Sequence, residues 1–409
     1  MCMATPRISR PVRNQGEITF AMPEDALPPE HPARVLWSVF EKLDLSAFLK
    51  DARAFEGGSG RATCCPRMLL TLWAYAISRG VGSAREIERL TEADSGCRWI
   101  VGDQRPSRAT ITRFRVEHLG ALDQLLTDIL AALMREGVLS LEMVAIDGMR
   151  VRAAASAPSF RREASLEELR EQAALHLKAV LAQKDDPTLT AQHRAVREAK
   201  ARDFASRVES ALITVRELNE SRRPTQKQAR ASVTDPEARV MKMGDGGFRP
   251  GMNVQFATAG DAMGGPRTVV GVAVNNVGSD MGTLAPLVEQ IEKRTGELPE
   301  RVLADANHAN HGAIIDIEKR GVEVLVPVPD RTSKTSSSPE LDAWKQRMNT
   351  PEARQRYRAR ASLCELTNAN ARRMGMTQLL VRGIEKATSV ALLFAITHDV
   401  LAHATALLR

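Results

Sequence analysis

Apolar residues between positions 31 and 138 recur at the three- and four-residue spacing of amphipathic helices. Two of these runs are Val35, Leu36, Val39, Phe40 and Leu43, and Leu69, Leu70, Trp73, Ala74 and Ile77. Ser83 and Ser107 each precede such a run at a position typical of a helix cap. The pattern therefore predicts an all-α domain over residues 31–138.

A different pattern begins at residue 139. Short apolar runs predict strands at 144–146, 252–258, 268–274, 301–305 and 322–327. Turn residues join the second run to the third as an antiparallel hairpin, and helical spacing separates the later runs. An antiparallel hairpin that leads into βαβ connections predicts a mixed α/β sheet with helices on its faces, built from residues 139–156 and 246–409.

Two segments have other patterns. Residues 157–245 are rich in Glu, Arg, Gln, Lys and Ala. Two long stretches with apolar residues at helical spacing predict a pair of antiparallel helices. Because strands resume afterwards, this segment is interpreted as a helical insertion. Residues 1–30 contain five prolines and several arginines, and they predict a flexible basic arm.

Composition narrows the class of protein. The net charge of +7 and the pI near 9.3 favour a polyanionic partner. The five cysteines form no Cys-x-x-Cys pair, which argues against a zinc site or a disulfide framework and favours a reducing compartment. No uninterrupted apolar run reaches the length of a membrane helix, and residues 1–15 lack the apolar segment of a signal peptide. We expect a cytoplasmic, nucleoid-associated protein with no membrane partner.

Two aspartates end apolar runs of the predicted sheet. Asp147 follows Val144-Ala145-Ile146, and Asp305 follows Val302-Leu303-Ala304. An isolated buried carboxylate is costly, so each must be paired, hydrogen-bonded or metal-bound. For Asp147 the other interpretation is an Asp-Gly hairpin turn with Gly148, and the stretch itself does not decide between the two.

A third acid, Glu365, lies in a basic helical stretch after the last strand. Residues seven apart share a helix face, so Arg358 and Arg372 would flank Glu365. Three carboxylates could hold two divalent ions that act on a phosphodiester. Other acids have simpler interpretations: Asp280 as a helix cap, Asp316 as a surface charge, and Glu352 and Glu385 as first-turn acids favoured by the helix dipole.

Several polar residues are candidates for DNA contact. Each of them also has a purely structural interpretation. The arginines could form a solvated basic face, the strand amides could satisfy polar groups at a sheet edge, and the histidine could make a local hydrogen bond. The candidates are Arg108, Arg113 and Arg115 on a helix-turn-helix-like segment, Arg150 and Arg152 after Asp147, Asn253 and Gln255 on one strand face, His308, Arg358 and Arg372.

In this order the motifs resemble the DDE-type bacterial insertion-sequence transposases, which have an RNase-H-like catalytic domain and, in one subgroup, an α-helical N-terminal domain. The resemblance covers about residues 30–405. It is carried by segments 83–88, 108–115, 144–148, 235–239, 251–255, 302–305 and 357–365, with 381–383 after them.

The resemblance implies that Asp147, Asp305 and Glu365 bind two Mg²⁺ ions, or Mn²⁺, and catalyse cleavage and strand transfer at element ends. It also implies double-stranded DNA as the partner and a homodimer in the DNA complex. Two segments depart from the family pattern. Asp305-Ala306-Asn307-His308 stands where Asp-x-Gly-Tyr is usual, and Leu366 to Arg372 lacks the usual Phe-Gly and Lys.

Two alternatives stay open at this point. One is an RNase-H-like nuclease that hydrolyses DNA without strand transfer. The other is a catalytically inactive, DNA-binding derivative, to which the unusual residues after Glu365 lend weight.

Overall fold

A computed structural model describes residues 22–50, 62–183, 189–223, 227–261, 264–329 and 338–409. Most of the predicted basic arm, residues 1–21, lies outside the described residues. The elements are α1 Pro32–Glu41, α2 Pro66–Ser78, α3 Ala84–Ala93, α4 Ser95–Val101, α5 Arg108–Glu117, α6 Leu119–Arg135, β1 Met143–Arg152, β2 Phe160–Arg161, α7 Glu163–Ala182, α8 Ala191–Glu220, β3 Ala231–Ser232, β4 Arg239–Lys242, β5 Phe248–Asp261, β6 Gly264–Asn275, α9 Leu284–Thr295, β7 Arg301–Ala304, α10 His311–Lys319, β8 Glu323–Leu325, α11 Pro339–Asn349, α12 Pro351–Tyr357, α13 Ala359–Arg373, α14 Ile384–Ala402 and α15 Ala404–Leu407.

The N-terminal helices begin where the sequence predicts caps. The Ser83 side chain accepts a hydrogen bond from the backbone N–H of Glu86, and Ser107 accepts one from Thr110. These helices share one hydrophobic core with the sheet-bearing part of the chain. Trp73 of α2, for example, lines the same small cavity as Phe394 of α14. The all-α segment is therefore packed against the last long helix rather than tethered by a linker.

The sheet places β1 at its centre. β5 lies antiparallel to β1 on one side, and β6 lies antiparallel to β5. On the other side β7 and β8 run parallel to β1, with α9 leading into β7 and α10 joining β7 to β8. Three antiparallel strands followed by two parallel ones form the RNase-H-like mixed sheet that the sequence predicted.

The insertion separates β1 from β5 in the chain but not in space. Its helices α7 and α8 pair around a small core of their own that includes Leu166, Leu212 and Val215. Arg216 fastens the pair by binding Glu163 and Glu167 at 3.0 and 2.8 Å. The segment also holds three short strands that the sequence pattern did not predict. β2 and β3 form a two-residue ladder, and β4 extends the sheet beside β5.

None of the described helices combines the length and the apolar character that a membrane crossing requires.

Asp147-Gly148 lies inside β1, so the hairpin-turn interpretation is wrong. Asp147 pairs with Phe256 and Gly148 with Gln255 in an unbroken ladder. The glycine is needed for space: a Cβ at Gly148 would lie 2.2 Å from Gln255 Nε2, and 2.7 and 2.8 Å from side-chain oxygens of Asp280 and Asn253. The sheet face under Gly148 is therefore filled by polar side chains from neighbouring elements.

We expect Gly148→Ala to lower the free energy of unfolding by about 1–3 kcal/mol, the usual cost of overpacking a buried site. Gly120→Ala is the matched control, because Gly120 lies in α6 and a Cβ there meets no atom within 4 Å. The control should be neutral or slightly stabilising, since alanine favours helix. Urea unfolding of both variants decides the matter, and equal stabilities would contradict the crowding at Gly148.

Candidate active site

Asp147 and Asp305 lie side by side where the parallel ladder between β1 and β7 ends. Ile146 pairs with Ala304 in the β1–β7 ladder, so the next residue of each strand is an aspartate. Asp147 continues in β1, whereas Asp305 begins a short 3₁₀ turn at Ala306–His308 and accepts the backbone N–H of Asn307 at 3.0 Å. The Asp147 and Asp305 side chains are 21% and 28% exposed, which leaves both open to a ligand at the same end of the β1–β7 ladder.

Helix α13 supplies the groups that face Asp147. Arg360 Nη2 donates to Asp147 Oδ1 at 2.9 Å, and Asn368 Nδ2 donates to Oδ2 at 2.9 Å. Burial raises the pKa of Asp147 above its usual value; the guanidinium of Arg360 opposes this rise and the negative charge of Asp305 adds to it. The site thus holds one aspartate whose charged form is destabilised and which depends on a cation.

Asp305 has the opposite balance. Burial alone raises its pKa, but the hydrogen bond and charge of His308, with help from Arg360 and Asn307, outweigh burial and leave the pKa below its usual value. His308 Nδ1 lies 2.7 Å from Asp305 Oδ1, and Asn307 Nδ2 donates to Oδ2 at 3.0 Å. Of the two aspartates, Asp305 therefore stays ionised more readily.

Cys364 lies between Arg360 and Asn368 on α13 and is 2% exposed. Residues four apart share a helix face, so these three side chains form the face that packs on the sheet. Burial raises the pKa of the Cys364 thiol, and the negative charges of Asp147, Asp305 and Glu365 raise it further against the opposing charge of Arg360. All three predicted acids thus act electrostatically on one buried thiol.

Glu365 itself is exposed and lies outside the hydrogen-bonded cluster at Asp147. Within the described residues, no group of three or more acidic, histidine or cysteine side chains is arranged to hold a metal ion. The structure thus brings Asp147 and Asp305 together and leaves Glu365 on the solvent side of the same helix.

A cleft of about 500 Å³ opens beside Gly148. Its polar lining is mostly cationic, and it contains three of the arginines predicted to contact DNA together with one that was not predicted. These arginines are Arg150, Arg152, Arg249 and Arg372, and Asp245 is the acid among them. We call this the basic cleft. Arg152 and Arg372 are exposed, so both can reach a ligand.

The predicted polar strand face is buried rather than exposed. Asn253, Gln255 and His308 are each 0% exposed. Asn253 and Gln255 donate to Asp280 Oδ1 at 2.7 and 2.6 Å, and His308 Nε2 lies 3.3 Å from Gln255 Oε1. The prediction that these three side chains contact DNA is therefore corrected: their hydrogen bonds are made inside the protein, below the site.

The helix-turn-helix-like arginines differ from one another. Arg115 is 5% exposed, donates to the Gly82 carbonyl at 2.8 Å and stacks over Trp73, and burial lowers its pKa to about 10. Arg115 therefore does not lie on an exposed basic face. Arg108 and Arg113 are exposed, with Arg113 beside Glu117, and Arg358 is exposed at the start of α13.

Sequence reasoning missed three residues of the site. Arg360 and Asn368 could have been found from the sequence, because residues 360, 364 and 368 are four apart and share one face of the predicted helix. Asp280 was predicted to be a helix cap, but it is a 5% exposed acceptor of side-chain hydrogen bonds from the sheet. No pattern in the sequence pairs a loop aspartate with amides on a distant strand. The predictions for Asp316, Glu352 and Glu385 are confirmed, since Asp316 is exposed and both glutamates lie in first helical turns.

The fold is that of an RNase-H-like α/β domain, and its two adjacent carboxylates lie near a cleft lined with arginines. Comparison with protein families agrees: residues 22–117 match the family described as "Transposase domain (DUF772)", and residues 198–398 match the "Transposase DDE domain". The chain belongs to the DDE-type insertion-sequence transposases. Members of this family carry out DNA transposition and generally use divalent metal ions. No curated protein and no solved structure matches the chain.

The packing of α13 can be tested through its thiol. We expect Cys364 of the native protein to resist Ellman's reagent while the exposed Cys65 reacts quickly, because only an accessible thiolate is reactive. Mass spectrometry after digestion assigns each modified cysteine, and Cys97, whose pKa burial raises to about 12, is an internal control for protection. Modification of Cys364 as fast as Cys65 would contradict the packing of this helix face on the sheet.

Proposed function

We propose that the protein is a metal-dependent DNA transposase that cleaves the ends of an insertion sequence and joins them to target DNA. The observation that carries this proposal is the placement of Asp147 and Asp305 as adjacent carboxylates on two parallel strands. The family match supports the same chemistry.

The donor set suits a hard divalent ion. Mg²⁺ prefers oxygen ligands and is commonly held by only one or two carboxylates, its other ligands being water and phosphate oxygens. Asp147 and Asp305 would supply two such carboxylates, and Glu365 would supply a third from α13. When bound, Mg²⁺ or Mn²⁺, two ions per site, would neutralise charge on the attacking and leaving oxygens of a phosphodiester.

The surrounding residues have roles of their own. Arg360 is the cation that Asp147 already binds, and its guanidinium can donate to a phosphate as readily as to a carboxylate. Asn307 and His308 hold the Asp305 carboxylate in one orientation through three hydrogen bonds. Glu365 follows the buried Cys364 and precedes Asn368 by three residues, so it borders the face that contacts Asp147.

The basic cleft begins at Gly148, the residue after Asp147 in β1, and its lining includes Arg372 of α13, the helix that also binds Asp147 through Arg360 and Asn368. Arg108, Arg113 and Arg358 are exposed and could extend the contact with the phosphate backbone. Joining two element ends requires two copies of the site, so the working complex is proposed to be a homodimer on double-stranded DNA, in the nucleoid.

We expect Asp147→Asn and Asp305→Asn each to reduce cleavage of an element-end duplex by at least about 100-fold, since the outer-shell partners of metal ligands alone are worth about 10- to 100-fold. Asp316→Asn is the matched control, because Asp316 is exposed on α10. Gel analysis of cleaved strands in Mg²⁺, with melting temperatures to confirm folding, gives the result. Full activity in either variant would remove the metal-ligand assignment.

Glu365→Gln tests the third ligand separately. We expect the same loss of cleavage as for Asp147→Asn, because one carboxylate oxygen donor would be replaced by a neutral amide. A fully active Glu365→Gln enzyme would exclude Glu365 while leaving the two aspartates in place. Joining of pre-cut ends to a supercoiled plasmid then distinguishes a transposase from a nuclease, which would cleave but never join.

For the basic cleft we expect the double variant Arg152→Ala/Arg372→Ala to bind duplex DNA more weakly and with a shallower salt dependence. Each lost phosphate contact should reduce the slope of log K against log salt by about 0.9. Lys345→Ala on α11 is the control, because Lys345 lies beside Asp342 and away from the cleft lining. An unchanged slope, measured by fluorescence anisotropy, would place the DNA elsewhere.

A further inference from the structure

Asp280 is a buried carboxylate that the proposed chemistry does not use. It belongs to the loop before α9 and is 5% exposed. Its Oδ1 accepts hydrogen bonds from Asn253 and Gln255, and its Oδ2 lies 3.5 Å from Nη2 of Arg150 in the basic cleft. Because Asp280 lies under Gly148, it is on the face of the sheet opposite to Asp147.

The carboxylate of Asp280 fixes the orientation of the Gln255 amide. An ionised carboxylate only accepts hydrogen bonds, so Gln255 must present Nε2 to it, which is the arrangement observed at 2.6 Å. The amide oxygen then lies 3.3 Å from His308 Nε2. The other ring nitrogen of His308 lies 2.7 Å from Asp305 Oδ1.

A hydrogen-bonded chain thus runs from Asp280 through Gln255 and His308 to Asp305. It passes beneath β1 at Gly148, where any side chain would occupy the position of Gln255 Nε2. Gln255 and His308 are fully buried, so water does not compete for these bonds. The arrangement explains why a glycine follows Asp147 and why two polar side chains are buried in the middle of the sheet.

We propose that Asp280 is a positioning residue, which orients the Asp305 carboxylate for metal binding through Gln255 and His308. The inference rests on the proposed function, because it takes Asp305 to be a metal ligand. Partners one shell away from a metal ligand fix its orientation, and their loss commonly weakens metal binding by about 10- to 100-fold.

The first experiment uses the metal-free protein. NMR of selectively labelled histidine, with His308 assigned from a His308→Gln spectrum, reports the surroundings of the His308 ring through its chemical shifts. Asp280→Asn should change this signal, because the Gln255 amide then loses the carboxylate that fixes its orientation beside the ring. Asp316→Asn, the exposed control, should leave the signal as in the wild type.

The second experiment measures Mn²⁺ affinity from the electron paramagnetic resonance of the free ion. Asp280→Asn should weaken binding, though by less than the roughly 10- to 100-fold expected for loss of a residue bonded directly to a metal ligand. The double variant Asp280→Asn/Gln255→Glu should recover most of the affinity and the His308 signal. It retains one negative charge and restores the hydrogen bond between the two side chains, since the introduced asparagine can donate to the introduced glutamate.

A second single variant keeps the test decisive if Asp280→Asn does not fold. Gln255→Met breaks the chain one link later and leaves Asp280 with Asn253 and Arg150 as partners. Unchanged His308 signals in this variant and in Asp280→Asn would overturn the proposal, and so would weaker Mn²⁺ binding with an unchanged ring. A wild-type protein that shows the ring signal and binds Mn²⁺ but cuts no DNA would contradict the proposed function and leave this assignment standing.

Discussion

The site depends on placing two carboxylates side by side where water reaches them only partly. Parallel pairing of β1 with β7 fixes Asp147 and Asp305 as neighbours, and each is partly buried. Burial and mutual repulsion both disfavour two negative charges there. The protein compensates with cations and hydrogen-bond donors on every side: Arg360 and Asn368 at Asp147, and His308 and Asn307 at Asp305. The metal-free site is therefore a set of balanced interactions around two acids.

The remainder of the structure can be understood from that constraint. β1 lies at the centre of the sheet, so Asp147 is supported from both sides, by α13 above and by the polar group under Gly148 below. The helical insertion leaves this centre undisturbed, because its helices α7 and α8 pack mainly on each other. The N-terminal helices pack on α14, which in turn contacts the sheet through Phe394 and Phe256, the β5 partner of Asp147.

Much of the fold was predictable because it follows from local pattern. The succession of strands and helices along the chain, the pair of insertion helices and the caps at Ser83 and Ser107 followed from hydrophobic spacing and cap chemistry. The adjacency of Asp147 and Asp305 could be predicted from two apolar runs that each end in an aspartate. The short strands β2, β3 and β4 escaped notice, since two to four residues carry too little alternation to be seen. The burial of Arg115, Asn253 and His308 could not be predicted either. Exposure depends on which elements pack against a given face, and the spacing of residues in the sequence does not record that.

The most direct test of the central claim is anomalous diffraction from crystals of the protein soaked in Mn²⁺. We expect anomalous density between the carboxylates of Asp147 and Asp305, with Arg360 moved from its position 2.9 Å from Asp147 Oδ1. Mn²⁺ bound away from both aspartates, with the Arg360–Asp147 pair intact, would contradict it.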